Sequence, residues 1–465
     1  LLVVVVVTTP WETVAAPPGG RVAPEVARDF APDAVALEDR YHRWLWPAVL
    51  GGSLLTLVAT LLLGFTGAGA RVVRAVARPF GGGTVAKLVV GSFAVGALTT
   101  VAALPLDIWR EHIQRDYGII VRGWGGFAVD AFKSYLIASV MVLVGLTVLY
   151  VLMRKFPRRW WAPGALLGAL LVILSSFVYP LLVEPAFNNF SSLPDGELRS
   201  SILAMAAQDG VHVDDVLVAD ESKRSTRLNA YVSGIGSSRR VVLYDTTVRQ
   251  LPPAEIRQIV AHEFGHVKHN DVLDGTLVGA LAAGTAVCGL YLALSSPRLR
   301  RRAGVDDPSD PVSVPLVLAI VAVIVAVSSP AGLEISRKVE ARADMHALDL
   351  TKDPATLIAM QRRLGTANLG DLDPPWIVTL VRSTHPTTPQ RIANARTWAK
   401  LHGLPEPPDQ AAVPIPKPGA TSTPAPTASP TPTPSPEPSP HRTSTPKPGP
   451  RKTSTPSPKP TPRKS

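Results

Sequence analysis

Hydrophobic positions along this chain fall into long unbroken blocks before they show any helical or strand period. Six runs, at about 46–65, 88–106, 135–153, 160–183, 275–296 and 314–333, carry essentially no charge. A helix needs about 20 consecutive apolar residues to cross a bilayer, so each run predicts a membrane span. A buried helix of a large soluble protein rarely supplies even one such stretch. Residues 1–7, LLVVVVV, are too short to cross and are read as the end of a truncated first helix, since the sequence starts with Leu. No basic region or small-residue cleavage site accompanies them, so no signal peptide is read there.

The pattern changes outside these blocks. Residues 184–274 read as globular. LRSSILAMAAQ (198–208) repeats apolar residues every three to four positions, as a short helix does. VDDVLVAD and RRVVLYDTTV are rich in β-branched and aromatic residues, as strands are, and YVSGIGSSRR between them supplies a Gly/Ser turn. Residues 335–402 predict helices around 355–364 and from Thr388 to Lys400, where Thr388 and Pro389 suit a helix start. The last segment is rich in Pro, Ser and Thr and lacks the apolar content to offset ordering entropy, which predicts disorder. The expected fold is therefore mainly α: a polytopic transmembrane helical bundle with a membrane-associated α+β domain and a disordered tail. Its segments are 1–183 (four spans), 184–274, 275–334 (two spans), 335–402 and 403–465.

Composition agrees with a membrane protein. Charged residues are 18% of the 465 and mean hydropathy is +0.19, whereas soluble chains carry about 25% charged residues. The single cysteine, Cys288, excludes an internal disulfide and a multi-thiolate metal site. Of the formal net charge of +11, +7 lies from Val413 onward. That tail is either a solvated extension or a polybasic segment touching anionic lipid or cell-envelope polymer. No nucleic-acid partner is expected. Arg outnumbers Lys 34 to 13, which fits a GC-rich, bacterial genome.

One motif carries chemistry: His262-Glu263-Phe264-Gly265-His266. The run PPAEIRQIVAHEFGHVKHN is helical in period, with Ile256, Ile259, Val260 and Val267 on its apolar faces. Positions i and i+4 share a helical face, so both imidazoles can aim at one Zn²⁺ while Glu263 holds and deprotonates a water. One such ion per chain is expected. A catalytic zinc wants a third protein ligand and an open position. In SRKVEARADMHALDL, Glu340 and Asp344 share a helical face just after the last span. Glu340 can ligate, and Asp344 can accept a hydrogen bond from a ligand histidine. His269 and His346 compete for the third position. In STHPTTPQRI, His385 or Arg391 could donate to an oxyanion, or serve only in capping. The segment 229–245, NAYVSGIGSSRRVVLYD, could offer a strand edge to an extended substrate, or be a plain hairpin of the core.

The order HEFGHVKHND, two spans, SRKVEARADMHAL, then STHPTTPQRI resembles the CAAX prenyl protease 1 family of integral-membrane zinc metalloproteases. EPAFNNFSSLPDGEL and NAYVSGIGSSRRVVLYDTTV are also similar to that family, and the likeness covers residues 28 to 400. It implies His262, His266 and Glu340 as zinc ligands, Glu263 as catalytic base and Asp344 orienting a ligand. It implies His385 and Arg391 at the scissile region, and Asn229, with Ala230 and Tyr231 beside it, along the substrate backbone. It further implies seven spans around a chamber and a site open to the cytosol; with the composition read as bacterial, the expected location is a bacterial plasma membrane. The loops 66–87, 154–159 and 297–313, with four Lys/Arg each, argue for the reverse orientation on the positive-inside rule; the resemblance is given the greater weight. The expected activity is cleavage of membrane-associated proteins or peptides, with CAAX-type processing implied by the resemblance. The alternatives are a quality-control protease similar to the heat-shock membrane metalloproteases, which have fewer spans before the motif, and a non-catalytic scaffold.

Overall fold

Five of the six apolar blocks lie in helices long enough to cross a bilayer in the computed structural model, which describes residues 1–178, 184–234, 236–407 and 409. After a short helix, Leu2–Thr8, the chain forms α1 (Pro32–Phe65), α2 (Gly67–Ala77), α3 (Thr84–Asp116), α4 (Trp124–Lys155) and α5 (Trp161–Val178). The block 160–183 is thus helical as far as Val178; its last five residues, and the tail from 410 on, lie outside the described residues. The helices overrun their apolar blocks because the flanking polar residues continue the same helical path. The bundle turns its apolar side chains outward: Leu292 is 70% and Val327 77% exposed, as expected of a surface solvated by lipid. Its helices meet through small residues. A Cβ on Gly64 would lie 2.2 Å from that of Ala319, so only glycine lets α1 approach the later helix that carries Ala319. Three of the long helices have a proline inside them: Pro47 in α1, Pro105 in α3, and Pro330 in the helix Val314–Thr351.

At one end of the bundle sits a small α+β domain. Its sheet contains β1 (Phe190–Ser192), β2 (Asp215–Ala219), β3 (Ala230–Ser233) and β4 (Arg240–Tyr244), in the order β1-β2-β4-β3. β2 and β4 are parallel and the other pairs antiparallel, which leaves β3 at an edge. The expected strand RRVVLYDTTV stops at Tyr244, and Asp245–Gln250 is helical. Part of the expected Gly/Ser turn is β3 itself. Around the sheet lie α6 (Glu197–Asp209), α7 (Pro253–Lys268), α8 (Asp271–Leu294), α9 (Val314–Thr351), α10 (Pro354–Ala367) and α11 (Thr388–Leu401). α8 and the first half of α9 return the chain through the bundle.

The domain's core joins Ile256, Val260 and Phe264 of α7 to Leu348 of α9, Leu357 of α10 and Ile392 of α11. Each such buried side chain contributes about 1.5–3 kcal/mol. Val14 and Phe30 belong to the same core. Asp29 accepts from Arg362 at 2.7 Å and Arg396 at 2.6 Å, all three side chains being at most 3% exposed. Residues 14–30, grouped by the sequence with the membrane spans, are therefore structurally part of this domain: their short polar stretch gives no local sign of partners more than 300 positions away.

Candidate metal centre

α7 begins at Pro253, whose missing amide costs nothing in a first turn. It buries Ile256, Ile259, Val260 and Phe264, so the opposite stripe, with Glu263 and His266, faces the bundle. Gly265 lies where α9 crosses: a Cβ there would be 3.0 Å from Ala343 Cα and 3.0 Å from His346 Cβ. Only glycine allows so close a crossing. α9 is a continuous helix of 38 residues, so one rod spans the bilayer and then carries Glu340 and Asp344 to the histidines.

The three predicted ligands converge. His262 Nε2 is 3.2 Å from His266 Nε2, 3.2 Å from Glu340 Oε2, and His266 Nε2 is 3.6 Å from Glu340 Oε1. The other ring nitrogens are already engaged. His262 Nδ1–H donates to Asp344 Oδ1 at 3.0 Å, and His266 Nδ1–H donates to Asp271 Oδ2 at 2.8 Å. A carboxylate only accepts, so the proton of each neutral ring is on Nδ1 and each Nε2 presents a lone pair. Glu340 Oε2 is buried, with His262 Nε2 at 3.2 Å and His385 Nε2 at 3.1 Å as its polar neighbours. Two imidazole lone pairs and one buried carboxylate facing a single point suit a cation, so the residues fit a metal ion.

Asp271 was not among the residues singled out from the sequence. α7 stops where Asn270 adopts a left-handed conformation, φ 56°, and the reversal swings the first residue of α8 back onto His266. Arg342 also binds Asp271. The signal was present in the sequence: an asparagine closing the helix, followed directly by an acid. The competing ligands are placed elsewhere. His346 Nε2 is 2.9 Å from Asp209 Oδ2, and His269 packs against His346. Among the described residues, neither joins the His262–His266–Glu340 cluster.

Glu263 is half-buried beside the cluster, and burial pushes its carboxyl above the usual range. The Val232 amide of the edge strand faces it. His385 Nε2 lies 3.1 Å from Glu340 Oε2, on a side chain 53% exposed. Arg391 is differently placed from the expectation of a group at the scissile bond. Its Nε donates to Asp344 Oδ2 at 2.8 Å and its Nη2 to Asp344 Oδ1 at 2.5 Å, on the Nδ1 side of His262. A guanidinium fork matches a carboxylate better than a distant single oxygen. Ala230 is buried in the domain core and Tyr231 packs on the sheet near Leu217 and Val242, while Asn229 has an exposed side chain. A cavity of about 370 Å³ opens beside Glu263 and His266, lined mainly by apolar residues of β3, α5 and α8, with Arg239 at its wall.

The chain is similar to known proteins along most of its length. The family model described as peptidase family M48 matches residues 192–399, and one described as CAAX prenyl protease N-terminal, five membrane helices, matches residues 24–189. "Uncharacterized metalloprotease YhfN" of Bacillus subtilis is 31% identical over 65% of this chain and 72% of its own. The "CAAX prenyl protease 1 homolog" of Arabidopsis thaliana is 32% identical over 65% and 72%. The crystal structure of S. mikatae Ste24p superposes with a TM-score of 0.67 at 22% identity, covering 79% of this chain and 89% of that one; it has the same fold.

Proposed function

Because the chain belongs to peptidase family M48 and is an integral-membrane metalloprotease, we propose that it is a zinc endopeptidase cutting membrane-associated proteins or peptides, with CAAX-type processing as the activity its relatives' names suggest. The observation that carries the reading is the meeting of two Nε2 lone pairs and the Glu340 carboxylate. Two imidazoles and one carboxylate, with room for water, are a donor set that Zn²⁺ favours. Bound there, the ion supplies Lewis acidity to a water and to the scissile carbonyl.

The chain's own residues do the rest. His262, His266 and Glu340 hold the ion. Asp344 and Asp271 fix the two imidazole tautomers. Arg391 is a positioning residue, keeping Asp344 ionised and in place. Glu263 takes a proton from the attacking water on its carboxylate and delivers it to the leaving amine; the shift of its carboxyl toward neutrality suits both steps. His385, half open to the cleft, donates to the developing oxyanion. The substrate backbone lies along Asn229 and the edge-strand residues Ala230 and Tyr231. Ala230 and Tyr231 act there through their main chain, since their side chains serve packing. The cavity beside Glu263 takes an apolar substrate side chain.

Purified chain in detergent should contain stoichiometric zinc and lose cleavage of a membrane-anchored reporter on chelation, with recovery when zinc is restored. A preparation that cleaves with no metal overturns the reading. We place the centre on the cytoplasmic face, as the resemblance implies, of a bacterial plasma membrane, as the Arg-rich composition suggests; a C-terminal reporter active only outside the cytoplasm would refute that placement.

A further inference from the structure

A second group of metal-ligating side chains lies away from this centre, where α1 leaves the bundle. Glu38 and His42, one turn apart on α1, and Asp371, in the loop after α10, offer ligand atoms that all lie within 4.8 Å of one another. Glu38 is 4% and His42 8% exposed. Each side chain is already fixed on one side. The Leu372 amide donates to Glu38 Oε1 at 2.6 Å. Trp46 Nε1–H donates to Asp371 Oδ2 at 2.5 Å. His42 Nδ1–H donates to the Glu38 carbonyl at 3.1 Å and also lies 3.4 Å from Glu38 Oε1.

What remains of each is an acceptor. With its proton on Nδ1, His42 keeps a lone pair on Nε2. Among the described residues, His42 Nε2, Glu38 Oε2 and Asp371 Oδ1 receive no hydrogen bond, and no Lys or Arg lies within 4.0 Å of either carboxylate. Arg227 and Arg382 line the adjoining cavity without pairing to them. Two carboxylates and an imidazole drawn together, with Glu38 and His42 buried and Asp371 half-buried, are costly unless a positive charge joins them.

We propose that Glu38, His42 and Asp371 bind a second divalent cation of the Zn²⁺ or Mn²⁺ kind, which clamps the loop after α10 onto α1. One nitrogen and two oxygens suit these ions, whereas Mg²⁺ and Ca²⁺ take oxygen alone. Water completes the coordination from the adjoining cavity of about 350 Å³. The clamped loop leads through the short helix Trp376–Val381 to His385, so this ion acts on the first centre only by holding its surroundings.

The test counts metal in the full chain, purified in detergent and dialysed against micromolar Zn²⁺ or Mn²⁺. We expect two equivalents in the wild type. One should remain in the double variant His262→Ala/His266→Ala, and one in His42→Ala. X-ray absorption of the ion left in the double variant should give one imidazole and otherwise oxygen. Should His42→Ala fold poorly, Asp371→Asn, on a loop, gives the same count. One equivalent in the wild type and none in the double variant would overturn the proposal. One equivalent that survives the double variant and disappears with Asp371→Asn would uphold this site while refuting the catalytic centre, so the two failures are distinguishable.

Discussion

The two ends of the membrane bundle treat charge in opposite ways. At the catalytic end, Asp344, Arg391, Asp271, Arg342, Asp29, Arg362 and Arg396 are withdrawn from water and bonded to one another or to the histidines. At the far end, Arg71, Arg78, Arg298, Arg301 and Arg302 are exposed and form no ion pair among the described residues. Removing one member of a buried pair strands the other, whereas an exposed arginine is replaceable by water or a lipid headgroup. The catalytic end should therefore respond sharply to single substitutions, and the far end hardly at all.

The largest effect should come from Glu263→Gln, which lowers kcat for peptide cleavage by about 10³-fold while zinc content stays at the wild-type level. Cleavage within tenfold of wild type would show that another group moves the proton. Arg391→Ala should follow: it leaves Asp344, whose side chain is 1% exposed, with only the His262 Nδ1–H as partner, and should cost about 3 kcal/mol in thermal unfolding in detergent. Arg391→Lys should recover only part, because an ammonium cannot fork onto both carboxylate oxygens. Asp271→Asn comes next, weakening zinc about 10–100-fold in chelator competition; unchanged affinity would mean that His266 is oriented by its helix alone. Smallest is Arg301→Ala, with less than about 0.5 kcal/mol lost and cleavage intact. A large loss there would break the contrast between the two ends.

What the sequence reveals follows the same division. The spans are legible because bilayer crossing is a matter of composition over some 20 residues. His262, Glu263 and His266 are legible because a four-residue spacing has one geometric meaning on a helix. Glu340 needed the order of several motifs, since two spans separate it from the histidines. Arg391 was placed on the right element, but its partner is chosen by packing between α9 and α11, which no local pattern encodes. The ties of Asp29 to Arg362 and Arg396 left no trace at all, because an ion pair between remote segments has no periodicity. The three-residue β1 was too short to stand out, and β3 was partly hidden among Gly and Ser.

The prolines inside α1, α3 and α9 each lie within three residues of the edge of an apolar block. Proline deletes one rung of the backbone ladder and frees the carbonyl four residues earlier, so resistance to bending is lowest there. Together the three gaps form a compliant collar between a greasy shaft and a stiff head. When the surrounding lipid thickens or thins, the shafts tilt to match it, and these are the positions where bending would take up the tilt short of the imidazoles.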